Sequence, residues 1–429
     1  MTRLSRRDQF FVGLTLFSMF FGAGNLIFPP LLGAQAGTHT WPAMAGMALS
    51  AVVLPVLGVV AAAQAGGLPA LAGRVHPKFA AFFTLLAYLS IGPCLAIPRT
   101  ATTSFEMAVI PFFSDPPVWA RALYSLVFFA AALAVALKPD QLSNRLGKVT
   151  GPVLLALICI ITAGCILHAP GGYGAPATAE YASHPAIQGF LDGYQTMDTI
   201  AALVFGIVIS LNIRSKGITK DRAVVSATIR AGWIAGAVLL TVYAALAHVG
   251  AVSGAAFPGA ANGAQVLTSI TSWLFGPAGN LLLGMVFVIA CFNTCTGLIS
   301  SCGEHFSVQF PRLSYRTWAC LFAAVSFAIS IAGLNTILKI SVPVLGMLYP
   351  VAIVLITLGL AQRWACRFRR IYPTAVLFTG AASVAGVLFP NLPLPLADVG
   401  LGWVVPALLG TALGILLSLP GTQTAENGR

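Results

Sequence analysis

The chain has 429 residues, of which 58% are hydrophobic and only 8% are charged, and its mean hydropathy is +0.90. Soluble domains carry about a quarter charged residues, so this composition excludes an ordinary water-facing fold and predicts an all-α polytopic membrane protein. The formal net charge of +12 does not indicate nucleic-acid binding, because the basic residues alternate between loops instead of forming one basic face.

Apolar runs of roughly 20 residues, the length that crosses a bilayer as a helix, recur along the chain. We count about twelve runs, with short connections apart from two longer ones at 168–188 and 251–277. No part of the chain fits a separate soluble domain. The predicted spans are 9–36, 42–66, 79–104, 118–137, 149–167, 189–213, 223–250, 278–304, 315–333, 336–361, 373–390 and 402–420.

Basic residues mark the even-numbered connections, which the positive-inside rule places in the cytoplasm. Both termini are therefore predicted to be cytoplasmic, and the first run is predicted to be an uncleaved span instead of a secretory signal. The intervening loops contain only Arg121. The basic segments contain Arg3, Arg6, Arg7, Arg74, Lys78, Lys138, Arg145, Lys148, Arg214, Lys216, Lys220, Arg222, Arg230, Arg312, Arg316, Arg363, Arg367, Arg369 and Arg370.

The first span is interrupted at about the middle of the bilayer. Two glycines and an asparagine at 22–25, followed by two prolines at 29–30, make a poor continuous helix. Backbone groups that a break leaves unpaired at this depth must be buried in protein or line a site, and a helix start favours a carboxylate. The alternative is a kink at a helix crossing, where small residues are common. The substrate-binding residues predicted here are Gly22, Ala23, Gly24 and Asn25.

Two cations and a carboxylate lie near the third and tenth spans. Arg99 and Glu106 are seven residues apart and share a helix face if the helix continues. A snorkelling Arg99 near the membrane interface is the simpler interpretation, and an outer gate is the alternative. Lys339 is the second cation.

The sixth span is interrupted by a polar segment at 189–199. A carboxylate inside a membrane segment is costly, so Asp198 indicates an ion path or an internal pair. Its role stays open between stabilising the unwound turn, pairing with Arg99 or Lys339, and sensing a proton or cation. The predicted substrate-binding residues here are Tyr194, as an aromatic lid, Thr196, Asp198 and Thr199, with helix capping as the alternative for the threonines.

The two breaks lie in oppositely oriented spans, because the second break comes five spans after the first. Interrupted segments at matching places in two such halves are typical of transporters with inverted repeats, and they indicate a binding site at the midplane. We therefore predict a single transmembrane domain covering 1–429, with a five-plus-five core. Repeat 1 covers about 8–167, repeat 2 covers about 189–361, and two additional helices cover about 373–420.

Four segments together resemble the bacterial branched-chain amino acid:cation symporter family, the BrnQ type within the amino acid–polyamine–organocation superfamily. The resemblance runs nearly end to end and is specific only when the motifs are taken together. The segments are Gly22-Ala23-Gly24-Asn25-Leu26-Ile27-Phe28-Pro29-Pro30, Pro98-Arg99-Thr100-Ala101-Thr102-Thr103-Ser104-Phe105-Glu106, Gly193-Tyr194-Gln195-Thr196-Met197-Asp198-Thr199 and Ile340-Ser341-Val342-Pro343-Val344-Leu345.

This resemblance implies a leucine-transporter-type fold and uptake of leucine, isoleucine and valine with an ion, usually sodium. It also implies a sodium site between spans one and eight. The implied ligands are carbonyls of Ser18 and Phe21, a carbonyl near Cys291, and the Thr294 hydroxyl. Cys295 departs from the pattern, because a second hydroxyl often stands there, and a thiol suits sodium poorly.

The sequence thus predicts a secondary active symporter in the bacterial cytoplasmic (inner) membrane that imports branched-chain amino acids by alternating access. Proton-coupled uptake of the same or another small neutral amino acid is the alternative. A channel and an enzyme are disfavoured, because the sequence has neither a ring-forming charge pattern nor clustered histidines. We expect no organic cofactor, no nucleic acid and no obligate protein partner. The coupling ion, its stoichiometry, the ranking of substrates and the oligomeric state stay open.

Overall fold

The computed structural model describes residues 4–113, 116–137, 142–218 and 220–419 of the chain. The predicted basic positions Arg3 and Lys138, and residue 420 at the end of the twelfth predicted run, lie outside these ranges. Within them the protein is helical throughout, as predicted. The α-helices are α1 (Arg6–Phe20), α2 (Ala23–Ala36), α3 (Thr40–Ala48), α4 (Leu54–Ala65), α5 (Leu68–Gly73), α6 (Pro77–Leu89), α7 (Ala96–Ala108), α8 (Val118–Ala136), α9 (Leu142–Leu167), α10 (Ala179–Ser183), α11 (Pro185–Asp192), α12 (Asp198–Ser215), α13 (Asp221–Ala256), α14 (Gly263–Gln309), α15 (Tyr315–Ser330), α16 (Leu334–Leu360), α17 (Gln362–Ala365), α18 (Ile371–Leu388) and α19 (Val404–Leu416).

Each of the twelve predicted runs coincides with one helix or with a pair of helices. A short π-helical turn at Leu49–Val53 joins α3 to α4. A second one at Ser90–Cys94 follows α6 and leads into α7. Within the described ranges, seven helical stretches are long and apolar enough to cross a membrane by themselves, and Pro152–Leu167 and Val404–Leu416 are shorter apolar helices. The first and sixth runs are divided into two helices each, so neither forms one long stretch.

The expectation that 251–277 is a loop is wrong. Helix α13 continues to Ala256, and α14 begins at Gly263, where the Asn262 side chain accepts a hydrogen bond from the Gln265 amide. The first part of α14 buries the apolar side chains of Val266, Leu267 and Ile270, which explains why it is helical. It ends at a kink at Gly276, where φ is +64° and ψ is −160°.

The first span breaks between α1 and α2. Gly22 is extended, with φ −124° and ψ −170°, and Phe21 before it has ψ +91°. The side chain of Asn25 stabilises the new helix start, because its Oδ1 accepts a hydrogen bond from the Gly22 amide at 3.1 Å. The two prolines are accommodated in the first half of α2.

The sixth span breaks between α11 and α12. A 3₁₀ turn at Gly193–Thr196 is followed by Met197 in the left-handed region, with φ +65° and ψ +7°. Non-glycine residues adopt this conformation at a cost of about 1–3 kcal/mol and persist in it only where surrounding contacts enforce it. Met197 is buried, so packing around the break holds it there.

Each broken helix packs against a neighbouring helix with very little space between the two backbones. A Cβ atom on Gly250 of α13 would lie 2.0 Å from the carbonyl oxygen of Pro30 on α2. A Cβ atom on Gly46 of α3 would lie 1.8 Å from the carbonyl oxygen of Ala186 on α11. Small residues allow such close approach, and van der Waals packing then holds helices together inside the bilayer.

A Gly250→Ala substitution is expected to reduce the stability of the protein by about 1–3 kcal/mol, because the added methyl group must separate α13 from α2. The matched control is Gly297→Ala on α14, where a Cβ atom would meet no atom within 4 Å. The control is expected to be neutral or stabilising by roughly 0.5–1 kcal/mol, as alanine favours helix. Thermal unfolding in detergent measures both, and equal stability of the two variants would contradict the close contact.

Candidate functional site

The two breaks face one partly open cavity. Its volume is about 60 Å³, and both broken spans contribute to its lining together with the third and eighth spans. A branched-chain amino acid is larger than this, so side chains around the cavity must move to admit one. The lining residues are Met19, Phe20, Gly22, Ala23, Gly24, Asn25, Ile91, Ala96, Arg99, Thr100, Thr196, Met197, Asp198, Ala201, Phe205, Thr294 and Leu298.

A buried hydrogen-bond network joins the two breaks. The side chain of Asn25 donates from Nδ2 to Asp198 Oδ2 at 2.6 Å and also to the hydroxyl of Tyr243. The Tyr243 hydroxyl donates to the same Asp198 oxygen at 3.0 Å. Asn25, Asp198 and Tyr243 are each at most 2% exposed, so these bonds form away from bulk water. Asp198 thus accepts from Asn25 of the first break and from Tyr243 of α13, and these bonds do not decide between the roles left open for it.

Arg99 lies inside the site, which corrects the interpretation of a snorkelling arginine. It is 3% exposed, and its Nη1 donates to the carbonyl oxygen of Gln195 in the sixth-span break at 2.7 Å. Its Cζ lies 5.4 Å from the ring centroid of Phe28. Lys339 is exposed, and neither cation forms an ion pair with Asp198 among the described residues.

The predicted sixth-span residues take different positions. Thr196 and Asp198 line the cavity, and the Thr196 hydroxyl donates to the Gly193 carbonyl oxygen at 2.9 Å. Tyr194 lies outside the cavity lining and stacks on Tyr349, with ring centroids 4.3 Å apart. Thr199 donates to the Ser50 carbonyl oxygen at 3.0 Å and thereby joins α12 to the second span.

The predicted ion ligands are brought together only in part. Thr294 faces the first break, since a Cβ atom on Gly22 would lie 3.8 Å from its Oγ1, but its hydroxyl donates to the Ala290 carbonyl oxygen at 3.1 Å. Cys291 is fully buried and Ser18 is exposed. Neither Ser18, Phe21 nor Cys291 lines the cavity.

Tyr243 is the residue that sequence reasoning missed. It lies in the middle of α13, in a long apolar run where its neighbours give no sign of which face points inward. Of two phenylalanines near the breaks, Phe205 lines the cavity and Phe292 does not. A tyrosine hydroxyl in the middle of a span needs a partner in the protein, and this requirement is the only signal the sequence offered.

This architecture is that of a leucine-transporter-type membrane transporter, so the predicted fold class is confirmed. The chain is similar in structure to Mhp1, a nucleobase-cation-symport-1 family transporter, in a closed conformation with bromovinylhydantoin bound, with a TM-score of 0.63 and 15% identity over 94% of this chain and 91% of that chain. It is also similar to the inward-facing conformation of Mhp1, with a TM-score of 0.60 and 13% identity over 95% and 90% of the two chains. At this identity the similarity concerns the fold alone.

Residues 5–419 match the family model of branched-chain amino acid transport proteins, and the chain belongs to that family. It is 42% identical to the branched-chain amino acid transport system 2 carrier protein of Pseudomonas aeruginosa, over 97% of each chain. It is 39% identical to the branched-chain amino acid permease BraB of Bacillus subtilis, over 98% of each, and 37% identical to the permease BrnQ of Escherichia coli, over 96% of each. The predicted family is thereby confirmed.

A Tyr243→Phe substitution keeps the ring and removes the hydroxyl that donates to Asp198. We expect a loss of roughly 1–3 kcal/mol of stability, because the buried carboxyl group of Asp198 loses a hydrogen-bond donor. The matched control is Tyr124→Phe, which removes a hydroxyl bonded to the neutral hydroxyl of Ser104 at 3.0 Å, and it should cost about 0.5–1.5 kcal/mol. Unfolding of both variants in detergent provides the comparison, and a smaller loss for Tyr243→Phe than for Tyr124→Phe would contradict the hydrogen bond from Tyr243 to Asp198.

Proposed function

We propose that the chain is a secondary active symporter that imports leucine, isoleucine and valine together with sodium across the bacterial cytoplasmic membrane. The observation that carries this proposal is the shared cavity between the two broken helices. In transporters built from inverted repeats, substrate and coupling ion bind at such breaks near the midplane. The named activities of the curated relatives agree with this substrate class.

The first break has a helix start that favours a negative group and a helix end that favours a positive group, and an amino acid zwitterion carries both. Helix α2 begins at Ala23, so the positive end of its dipole faces the cavity and favours a carboxylate. Helix α1 ends at Phe20, so carbonyl oxygens at its end can accept from an ammonium group or bind a cation. We assign substrate binding to 22–25 and to Thr196 and Asp198, with Tyr194 and Thr199 supporting the sixth-span break from outside the cavity lining.

We place the sodium ion between the first break and the eighth span. The proposed ligands are carbonyl oxygens of Ser18, Phe21 and Cys291 together with the hydroxyl of Thr294, since sodium prefers oxygen ligands. Thr294 lies against Gly22, which supports its inclusion. The oxygen of its hydroxyl can bind the ion through a lone pair while the hydrogen is donated to its own helix, because a hydroxyl has one donor and two acceptor sites.

Ion and substrate then act in one cycle. Sodium bound between α1 and α14 stiffens the first break, which favours substrate binding by positive coupling, and the coupling is reciprocal. Closure and inward opening follow as the broken helices move against the remaining spans. The proposal needs no organic cofactor and no protein partner, and it places both termini in the cytoplasm because of the basic connections.

Uptake of labelled leucine into proteoliposomes tests the proposal. An inward sodium gradient should drive accumulation, equimolar potassium should not, and excess isoleucine or valine should block it. Accumulation driven only by a proton gradient would keep the substrate and overturn the sodium assignment. No accumulation under any gradient, from protein shown to be folded, would overturn the substrate class.

A Thr294→Ala substitution should raise the sodium concentration for half-maximal leucine uptake by about 10-fold, the effect of losing one cation ligand worth about 1.4 kcal/mol. The matched control is Thr296→Ala, because Thr296 also donates to its own helix, to the Phe292 carbonyl oxygen at 2.9 Å, but does not line the cavity. Sodium dependence is measured at saturating leucine. The same dependence in both variants would exclude Thr294 as an ion ligand.

A further inference from the structure

The guanidinium group of Arg99 is a buried cation with an incomplete set of partners. Its side chain is 3% exposed, and Nη1 donates to the carbonyl oxygen of Gln195. Its Nε is enclosed and has no hydrogen-bond partner in the described part of the chain. A buried donor without an acceptor is unfavourable, so an arginine in this state indicates a missing hydrogen-bond partner.

The protein does not supply that partner from the described residues. Asp198 is the carboxylate within electrostatic range, but its Oδ2 accepts hydrogen bonds from Asn25 and Tyr243, and it forms no ion pair with Arg99. The ion pairs of the described residues are Arg214 with Asp221 and Lys216 with Asp8, all of them at exposed or half-exposed positions.

The free edge of the guanidinium is the one suited to a carboxylate. Nη1 is used on Gln195, which leaves Nε and Nη2 side by side without a partner among the described residues. Nε is enclosed, so a carboxylate reaches this edge only once neighbouring groups have moved, and its two oxygens then match the two donors. The group lies against the start of α2, because a Cβ atom on Gly24 would be 2.7 Å from Nη2. Glycine at this position therefore permits the close approach.

The helix start adds a second set of donors at the same place. The backbone amides of Ala23, Gly24 and Asn25 donate no backbone hydrogen bond in the described structure, as expected for the first turn of a helix. All three residues line the cavity together with Arg99. Two independent sources of positive potential, a helix start and a guanidinium fork, thus converge on one volume.

We propose that Arg99 binds the substrate carboxylate through its Nε–Nη2 edge, together with the amides at the start of α2. The inference rests on the proposed function and adds a binding residue to it. The guanidinium is tied to the sixth-span break through Gln195, so a carboxylate bound there contacts groups held by both broken helices. The site then selects for a free carboxylate, because an analogue without one loses its hydrogen bonds both to the guanidinium and to the amides at the start of α2.

Ligand-induced thermal stabilisation of the purified protein in sodium tests the assignment, because it reports weak as well as tight binding. Leucine is compared with leucinamide, which keeps the side chain and ammonium group but has no carboxylate. The wild-type protein should prefer leucine by about 30-fold or more, the effect of losing two charge-assisted hydrogen bonds. Arg99→Gln should weaken leucine binding by a similar factor and change leucinamide binding by less than about threefold.

Two further variants separate binding from folding. Arg99→Lys keeps the charge without the fork and should fall between wild type and Arg99→Gln. The matched control is Arg121→Gln on α8, because Arg121 is half-buried, donates to the Ile331 carbonyl oxygen at 3.4 Å, and does not line the cavity. It should keep the wild-type preference for leucine.

Three results would overturn the assignment of Arg99 alone. These are leucine affinity of folded Arg99→Gln within about threefold of wild type, equal losses for leucine and leucinamide, and a wild-type protein without preference for leucine. A wild-type protein without preference for leucine over leucinamide would overturn the assignment even if the Arg99 variants fail to fold. A wild-type protein that binds none of leucine, isoleucine and valine would instead overturn the proposed function, and this inference with it.

Discussion

In the hydrocarbon layer a helix can be broken only where other groups of the protein form the hydrogen bonds that the break leaves unmade. Asn25 does this for the first break, because its oxygen accepts from Gly22 and its nitrogen donates to Asp198. Asp198 begins α12, directly after the second break, and Tyr243 of α13 donates to the same carboxylate. The two breaks are therefore joined through the side chains of Asn25 and Asp198, and residues of both breaks line the same cavity.

The helices and both breaks were predictable because their signals are local. Glycine, proline and asparagine at 22–30 and the polar segment at 189–199 interrupt otherwise uniform apolar runs, and the helix boundaries follow the runs closely. The first part of α14 was missed, because a helix over 263–275 is too short to cross a membrane and 251–277 was assigned to a loop. Its apolar residues instead cover other helices.

The partners within the site were not predictable for a related reason. Asn25 and Tyr243 are 218 residues apart, and Asn25 and Asp198 are 173 residues apart, so no spacing or periodicity connects them. In an apolar span, residues that face lipid and residues that face the cavity look the same in a single sequence. Arg99 is the clearest case. Its place in the third span can be read from the sequence, but only the structure shows that its guanidinium group points into the cavity.

The glycine contacts between helices affect how the molecule deforms. Most helix pairs are separated by side chains that can change rotamer and absorb a small displacement, but Gly250 brings the backbone of α13 directly against that of α2. A shift of α2 is thus transmitted to α13 with little attenuation. Tyr243 is part of the same helix and is bonded to Asp198, so α13 connects α2 to the second broken helix in addition to the direct bond between Asn25 and Asp198.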